Sequence, residues 1–226
     1  MQCYNSKNLI LCSQDVTDKS MVNEEETVKD VYNAIAKEFD NSRYRPWSCV
    51  ESFLDKVPKH SIIGDIGCGN GKNMLYRKDC RNYGCDFSKE LVKICLKKNL
   101  DVIEGDILNI PFQENSFDYT ICIAVLHHLS TKENRIRAIQ ELKRITKKGG
   151  EILLLVWAFE QEPDSRRQFV QQDNWINWKD KKGVLLGKRY YHVFKETELE
   201  NLIDDSMKIK TSFYERGNWG VILAVK

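Results

Sequence analysis

Between residues 61 and 158 the apolar positions keep two rhythms in turn. Short runs rich in β-branched residues, near 61–66, 82–85, 101–104, 117–123 and 151–158, read as strands, and the stretches near 71–78 and 88–98 read as helices. A further helix is capped by Ser130 and Glu133, turns Ile136, Ile139, Leu142 and Ile145 toward the sheet, and stops at Gly149-Gly150. Strand and helix in alternation imply an α/β fold, a parallel sheet with helices on both faces, and the run 151–158 is apolar enough to be central. Upstream, Asn23 and Glu26 make a capping box, and Val28, Val31, Ile35 and Phe39 recur at helical spacing up to about residue 39. Downstream come a long irregular stretch (159–194), a short helix near 196–204, and strands at 208–214 and 219–225 joined by a turn at Arg216-Gly217. Residues 1–22 have no period and read as a loosely held tail, leaving one domain over 23–226 with an insertion at about 159–194.

The first strand carries the chemistry. Ile62-Ile63-Gly64-Asp65-Ile66 runs straight into Gly67, Gly69 and Gly71, where residues without a Cβ let backbone N–H groups approach a ligand. A dinucleotide fingerprint needs its third glycine one residue later, and Asp65 would repel a diphosphate. An acid beside a glycine turn suits an ammonium or a sulfonium. Asp86, nineteen residues after Gly67 (86 − 67), ends the next apolar run, where a carboxylate can take both hydroxyls of a ribose.

These residues, with Gly105-Asp106-Ile107, Phe117-Asp118-Tyr119 and Leu126-His127-His128-Leu129 in order behind them, resemble the motifs of class I S-adenosylmethionine-dependent methyltransferases. The resemblance implies a Rossmann-like, mostly parallel seven-stranded sheet with an antiparallel last strand. It also implies a cofactor site: Asp65, Gly67 and Gly69 at the methionine part, Asp86 with Phe87 at the ribose, Asp106 and Ile107 at the adenine, and Val125 nearby. Asp65 and Asp106 could instead be turn-capping acids. Of the two histidines, neighbours on a strand end point opposite ways, so at most one faces the cleft, and His128 is the favoured one.

Composition narrows the setting. At 226 residues, 30% charged and net +2, the chain has an ordinary surface, so any nucleic-acid site must be a local patch. Its eight cysteines form no C-x-x-C pair and read as reduced thiols, no metal site is expected, and a cytoplasmic setting follows, with the nucleus as a second possibility. No run is long and apolar enough for a membrane span.

A local patch is present. Residues 157–194 interleave Trp157, Trp175, Trp178, Tyr190 and Tyr191 with Arg166, Arg167, Lys179, Lys181, Lys182, Lys188 and Arg189, and Pro46 holds Arg43, Tyr44, Arg45 and Trp47 on an extended segment. Cations for phosphates and rings for unstacked bases are what single-stranded RNA binding uses. Val31-Tyr32-Asn33-Ala34-Ile35-Ala36, Ser42-Arg43-Tyr44-Arg45-Pro46-Trp47, Asp65-Ile66-Gly67-Cys68-Gly69-Asn70-Gly71-Lys72, Ile123-Ala124-Val125-Leu126-His127-His128, Val156-Trp157-Ala158-Phe159-Glu160-Gln161, Arg189-Tyr190-Tyr191-His192 and Asn218-Trp219 are similar to the eukaryotic tRNA carboxymethyluridine methyltransferases, except that 159–188 is shorter than is usual there. That resemblance implies esterification of the carboxylate of a wobble 5-carboxymethyluridine in tRNA. It also implies a small zinc-binding activator protein that adds a strand at the sheet edge 101–104, and no DNA or membrane partner.

Such an acceptor, with a pKa of ~4, is ionised near pH 7, so no base is required. Arg43, Tyr44, Arg189 and Tyr190 are the candidates for the carboxylate and adjacent phosphates, beside His128. The competing readings are a small acceptor of quinone or sterol type, against which the cation and ring clusters speak, and a cofactor-fold partner without turnover.

Overall fold

A computed structural model of the chain describes residues 10–12, 23, 25–180 and 182–226. In chain order its strands are β1 (Ile10–Cys12), β2 (Ile62–Ile66), β3 (Arg81–Asp86), β4 (Asp101–Glu104), β5 (Phe117–Ile123), β6 (Thr146–Trp157), β7 (Arg167–Phe169), β8 (Asp173–Lys179), β9 (Leu185–His192), β10 (Met207–Tyr214) and β11 (Asn218–Val225). The α-helices are α1 (Val31–Asp40), α2 (Ser48–Leu54), α3 (Lys89–Lys97) and α4 (Lys132–Ile145).

Seven strands form one sheet in the order β10-β11-β6-β5-β2-β3-β4. β4, β3, β2, β5 and β6 run parallel, and β11 is antiparallel to both β6 and β10. The period-2 alternation of strands sorts the core into two layers. Ile152, Leu154 and Val156 of β6 pack with Ala138, Ile139, Leu142 and Ile145 of α4, while Leu153 and Leu155 face Val50, Phe53 and Leu54 of α2.

Several elements depart from the sequence reading, each for a tertiary reason. The helix expected at 71–78 is a run of turns. The Asn82 side chain donates to the carbonyls of Arg77 and Cys80, and Asn73 turns its amide toward Asp65, so the groups a helix would use are engaged elsewhere. α2 was not anticipated. Its N-terminus is capped by Glu215, 167 positions away, which accepts from Ser48 Oγ at 2.6 Å. α4 starts at Thr131, whose hydroxyl accepts from Asn134 N–H at 3.1 Å, one residue after the expected cap. It ends at Ile145, so Gly149-Gly150 lie inside β6 and not at the helix stop. The short helix near 196–204 reduces to a 3-10 turn at Glu200–Leu202.

The stretch 159–194, expected to be irregular, is largely strand. β8 and β9 form an antiparallel hairpin, and β7 pairs with β1, drawing residues 10–12 of the expected tail into the fold. The expected cap of Glu26 rests on a side chain outside the described residues. There Thr27 N–H meets Asn23 O at 3.0 Å, and a π-helical segment (Glu25–Asp30) leads into α1.

Candidate active site

A cavity of about 450 Å³ opens at the carboxyl ends of β2 to β6 and is closed from above by α1, the Arg43–Trp47 segment and the β8–β9 hairpin. Ligands of open α/β sheets bind at this end. Its floor is the glycine turn, where Gly67 and Gly69 have φ of +73° and +57°. A Cβ at Gly67 would overlap the Val125 side chain, so that position has both a backbone and a packing demand for glycine.

The acids gather on the β2–β3–β4 side. Asp86 Oδ2 accepts from Gly69 N–H at 2.7 Å and Oδ1 from Ser88 N–H at 2.9 Å, so it ties the glycine turn to the start of α3 while lining the cavity with Phe87. Burial raises its pKa to about 6 despite those two donors. Asp65 does not line the cavity. It is buried, with Oδ1 unpartnered and Oδ2 3.4 Å from Asn73 Nδ2, and burial raises it to about 7. Asn73, which does line the cavity, also has an unpartnered Oδ1. Two orphaned acceptors beside a carboxylate are what an ammonium would satisfy. Asp106 and Ile107 line the far end, Asp106 Oδ1 accepting from Leu108 N–H at 2.9 Å.

The opposite end is cationic and aromatic. Arg189 is 6% exposed, and its charge centre lies 4.6, 5.1 and 5.3 Å from the ring centroids of Trp178, Tyr191 and Tyr32. Tyr191 stacks on Trp157 at 4.3 Å, fixing the hairpin to the end of β6. Arg167 stands 4.0 Å over Trp157, Lys72 5.2 Å over Trp47, and Arg43 5.4 Å over Phe39.

The matching family model is described as a methyltransferase domain and covers residues 64–154. A tRNA (carboxymethyluridine(34)-5-O)-methyltransferase of Schizosaccharomyces pombe is 38% identical over 221 residues, 88% of this chain and 96% of that protein. The chain belongs to that family. The Xenopus tropicalis protein of the same name is 35% identical over 88% of this chain, which spans only 41% of its length. In fold, the chain is similar to a Haloferax volcanii methyltransferase solved in complex with the Trm112 methyltransferase activator, with TM-score 0.64 and 16% identity over 88% of this chain and 97% of that one.

Within the cavity the sequence-derived candidates separate. Gly67, Gly69, Asp86, Phe87, Asp106, Ile107, Val125, Arg43, His128 and Arg189 all line the cavity. Tyr44 does not. It is 81% exposed and donates its hydroxyl to the Asn41 carbonyl, so its ring stays outside while Arg43 and Trp47 of the same segment line the cavity. Tyr190 is also outside. It is the partner of Trp175 across the hairpin, on the face opposite to Arg189, and its hydroxyl donates to Asp173 in the core.

The histidines break the strand-end expectation, since 126–128 form a 3-10 turn and both rings reach the cavity. His127 Nδ1 accepts from Trp157 N–H at 3.2 Å, whereas His128 Nδ1 donates to the Tyr190 carbonyl at 2.9 Å, giving opposite tautomers. Burial lowers both, His128 to about 3, so neither carries charge near neutrality. Tyr32, on α1, was not among the expected site residues. In the sequence it is one aromatic on a helix, and only the hairpin brings Arg189 to its hydroxyl, at 2.9 Å.

Proposed function

We propose that this chain transfers a methyl group from S-adenosylmethionine to the carboxylate of a 5-carboxymethyluridine at the tRNA wobble position, forming the methyl ester. The observation that carries the reading is Arg189, a buried guanidinium in the cavity whose neighbours are aromatic side chains and not carboxylates. Arginine stays protonated in proteins and forks onto carboxylate or phosphate, so this end of the cavity asks for an anion from outside. Family membership gives that anion a chemical identity.

The acid end fits the cofactor. Asp86 would take the ribose hydroxyls with lone pairs left over from Gly69 and Ser88, the orphaned oxygen of Asn73 would take the ammonium with the buried Asp65 carboxylate behind it, and Asp106 with Ile107 would hold the adenine. When bound, S-adenosylmethionine supplies an electrophilic methyl carbon on a sulfonium. The protein's part is alignment and exclusion of water. No residue has to remove a proton, because the acceptor is already an anion at neutral pH. That agrees with His128, which its low pKa makes a poor base and a steady hydrogen-bond acceptor.

The partner side of the reading rests on β4. It closes one edge of the sheet, Ile103 on it is 41% exposed, and Leu96 of the adjacent α3 is exposed as well. An open edge with apolar flanks suits strand addition by a small zinc-binding activator. Co-expression with such an activator should keep the chain soluble, and Ile103→Asp should lose the co-purified partner.

The test of the reaction is nucleoside mass analysis after incubation with activator, labelled cofactor and tRNA bearing carboxymethyluridine. The expected product is the labelled methyl ester of that nucleoside. Label on a ribose or a base nitrogen, or transfer to small acceptors only, would overturn the assignment.

A further inference from the structure

Two donors at the cationic end have no acceptor. Arg189 Nε and Trp178 Nε1 are both shut off from water and unpartnered, while their side chains line the cavity. They lie diagonally across the hairpin, since Trp178 pairs with Gly187 and Ile176 with Arg189. Side chains so placed on one face are within reach of each other, and the guanidinium carbon sits 4.6 Å from the Trp178 ring centroid. Buried donors that find no protein acceptor are rare, and two in contact point to a ligand with two acceptor atoms.

The guanidinium is also held in one attitude. Arg189 Nη1 donates to the Tyr32 hydroxyl at 2.9 Å, and that hydroxyl lies 3.0 Å from His128 Nε2. Because His128 Nδ1–H is spent on the Tyr190 carbonyl at 2.9 Å, Nε2 carries a bare lone pair. Tyr32 therefore turns its proton to His128 and its lone pair to Arg189. The hairpin can come this close because residue 187 is glycine, where a Cβ would meet Val31 of α1 at 2.7 Å.

We propose that Trp178 Nε1–H and Arg189 Nε–H form a two-donor fork for both oxygens of the acceptor carboxylate, and that Tyr32, oriented by the His128 tautomer, is the positioning residue that sets the fork. The proposal rests on the reading of the acceptor as a carboxylate. It adds a specificity rule: the fork favours the acid over its neutral amide, and over its own ester product, in which the charge is gone.

The experiment uses the 15N-labelled full chain and two small probes, sodium acetate and methyl acetate, at matched ionic strength. The Trp178 indole and Arg189 Nε–H resonances should move together with acetate and stay still with methyl acetate. Trp178→Phe, which keeps a ring over the guanidinium, and Tyr32→Phe should each weaken acetate binding by about tenfold, the scale of one hydrogen bond to an anion, with the affinity for S-adenosylmethionine unchanged. In an Arg189→Lys background, Tyr32→Phe should add nothing. An indole resonance that ignores acetate, or a Tyr32→Phe effect of equal size without Arg189, overturns the fork. If the fork binds acetate but tRNA is not esterified, the function is misassigned and the fork stands. If ester forms at the full rate in Trp178→Phe with unchanged preference for acid over amide, the fork is wrong and the function stands.

Discussion

The acid end of the cavity and its cationic end are assembled from different distances along the chain. Asp65, Asp86 and Asp106 sit at the ends of, or just after, three consecutive strands, and the hydrogen-bond partners of their carboxylates lie 2 to 17 positions away along the chain. At the other end Tyr32 and Arg189 meet across 157 positions, and the cradle depends on the β8–β9 hairpin docking against α1 and β6. A site built on contiguous strand ends is preserved by local geometry. A site built by docking can be lost without disturbing the sheet. The two ends should therefore fail separately.

The largest expected effect is at the acid end. Asp86→Ala removes the group that joins Gly69 to Ser88 and that would accept from both ribose hydroxyls, and two such hydrogen bonds to a charged acceptor are together worth a loss of about 100-fold or more in cofactor affinity. Calorimetry with S-adenosylmethionine measures it, and an unchanged dissociation constant would remove the cofactor from this end. Arg189→Met is the counterpart. It should cost roughly 100-fold in kcat/KM for tRNA, the scale for losing one partner of a buried charge pair, and leave cofactor affinity within about twofold. Equal losses in both measurements would mean that the ends are one cooperative unit.

Protonation separates the ends again, with opposite sign. His128 is pressed to about 3 by burial, so the folded state resists a proton that the unfolded chain takes near 6.5. Its contribution to stability is complete above pH 6.5 and is lost as the pH falls toward 3. Between pH 7 and pH 5 that amounts to about 2 kcal/mol, seen as a shrinking stability difference between the native chain and His128→Asn. The acids run the other way. Burial raises Asp65 to about 7 and Asp86 to about 6, above their unfolded values, so they favour the fold when protonated, and that contribution is lost as the pH rises through 6 and 7. A cationic cofactor wants them ionised. Its affinity should fall by roughly tenfold from pH 8 to pH 5.5, whereas acetate binding at the Arg189 end should stay flat over the same range.

How much of this was legible in the sequence follows the same division. The glycine turn, Asp86 and Asp106 could be read because strand period, glycine spacing and the acid are all local signals, and the order of motifs fixed the sheet. The hairpin could not, because the same alternation of Trp175, Trp178, Tyr190 and Tyr191 with cations serves equally well for a strand pair and for a loose RNA-binding loop. Which of those rings face the cavity depends on register: Trp178 and Tyr191 do, Tyr190 does not. Tyr32 lay in a segment that carries the family resemblance, but nothing local marked it for the site, because its role exists only once Gly187 lets β9 close on α1.

The smallest expected effect tests whether the cationic end depends on something still farther off. Glu215, in the turn between β10 and β11, caps α2 by accepting from Ser48 Oγ and from Cys49 N–H, and α2 begins just after Trp47, the ring beneath Lys72 at the cavity mouth. Glu215→Gln keeps the size of the cap and weakens its charge, so the expected cost is about 1 kcal/mol of stability, the usual value of an N-cap. If the docked end is as remote-dependent as its construction implies, the looser start of α2 should raise KM for tRNA by roughly twofold to threefold, because Trp47 and Lys72 lose their fixed relation. Cofactor affinity should not change, since the hydrogen-bond partners of Asp65, Asp86 and Asp106 lie outside α2. A rise in the cofactor dissociation constant of the same size would show that α2 supports both ends through the shared glycine turn, and the separation drawn from chain distance would then fail at its least costly test.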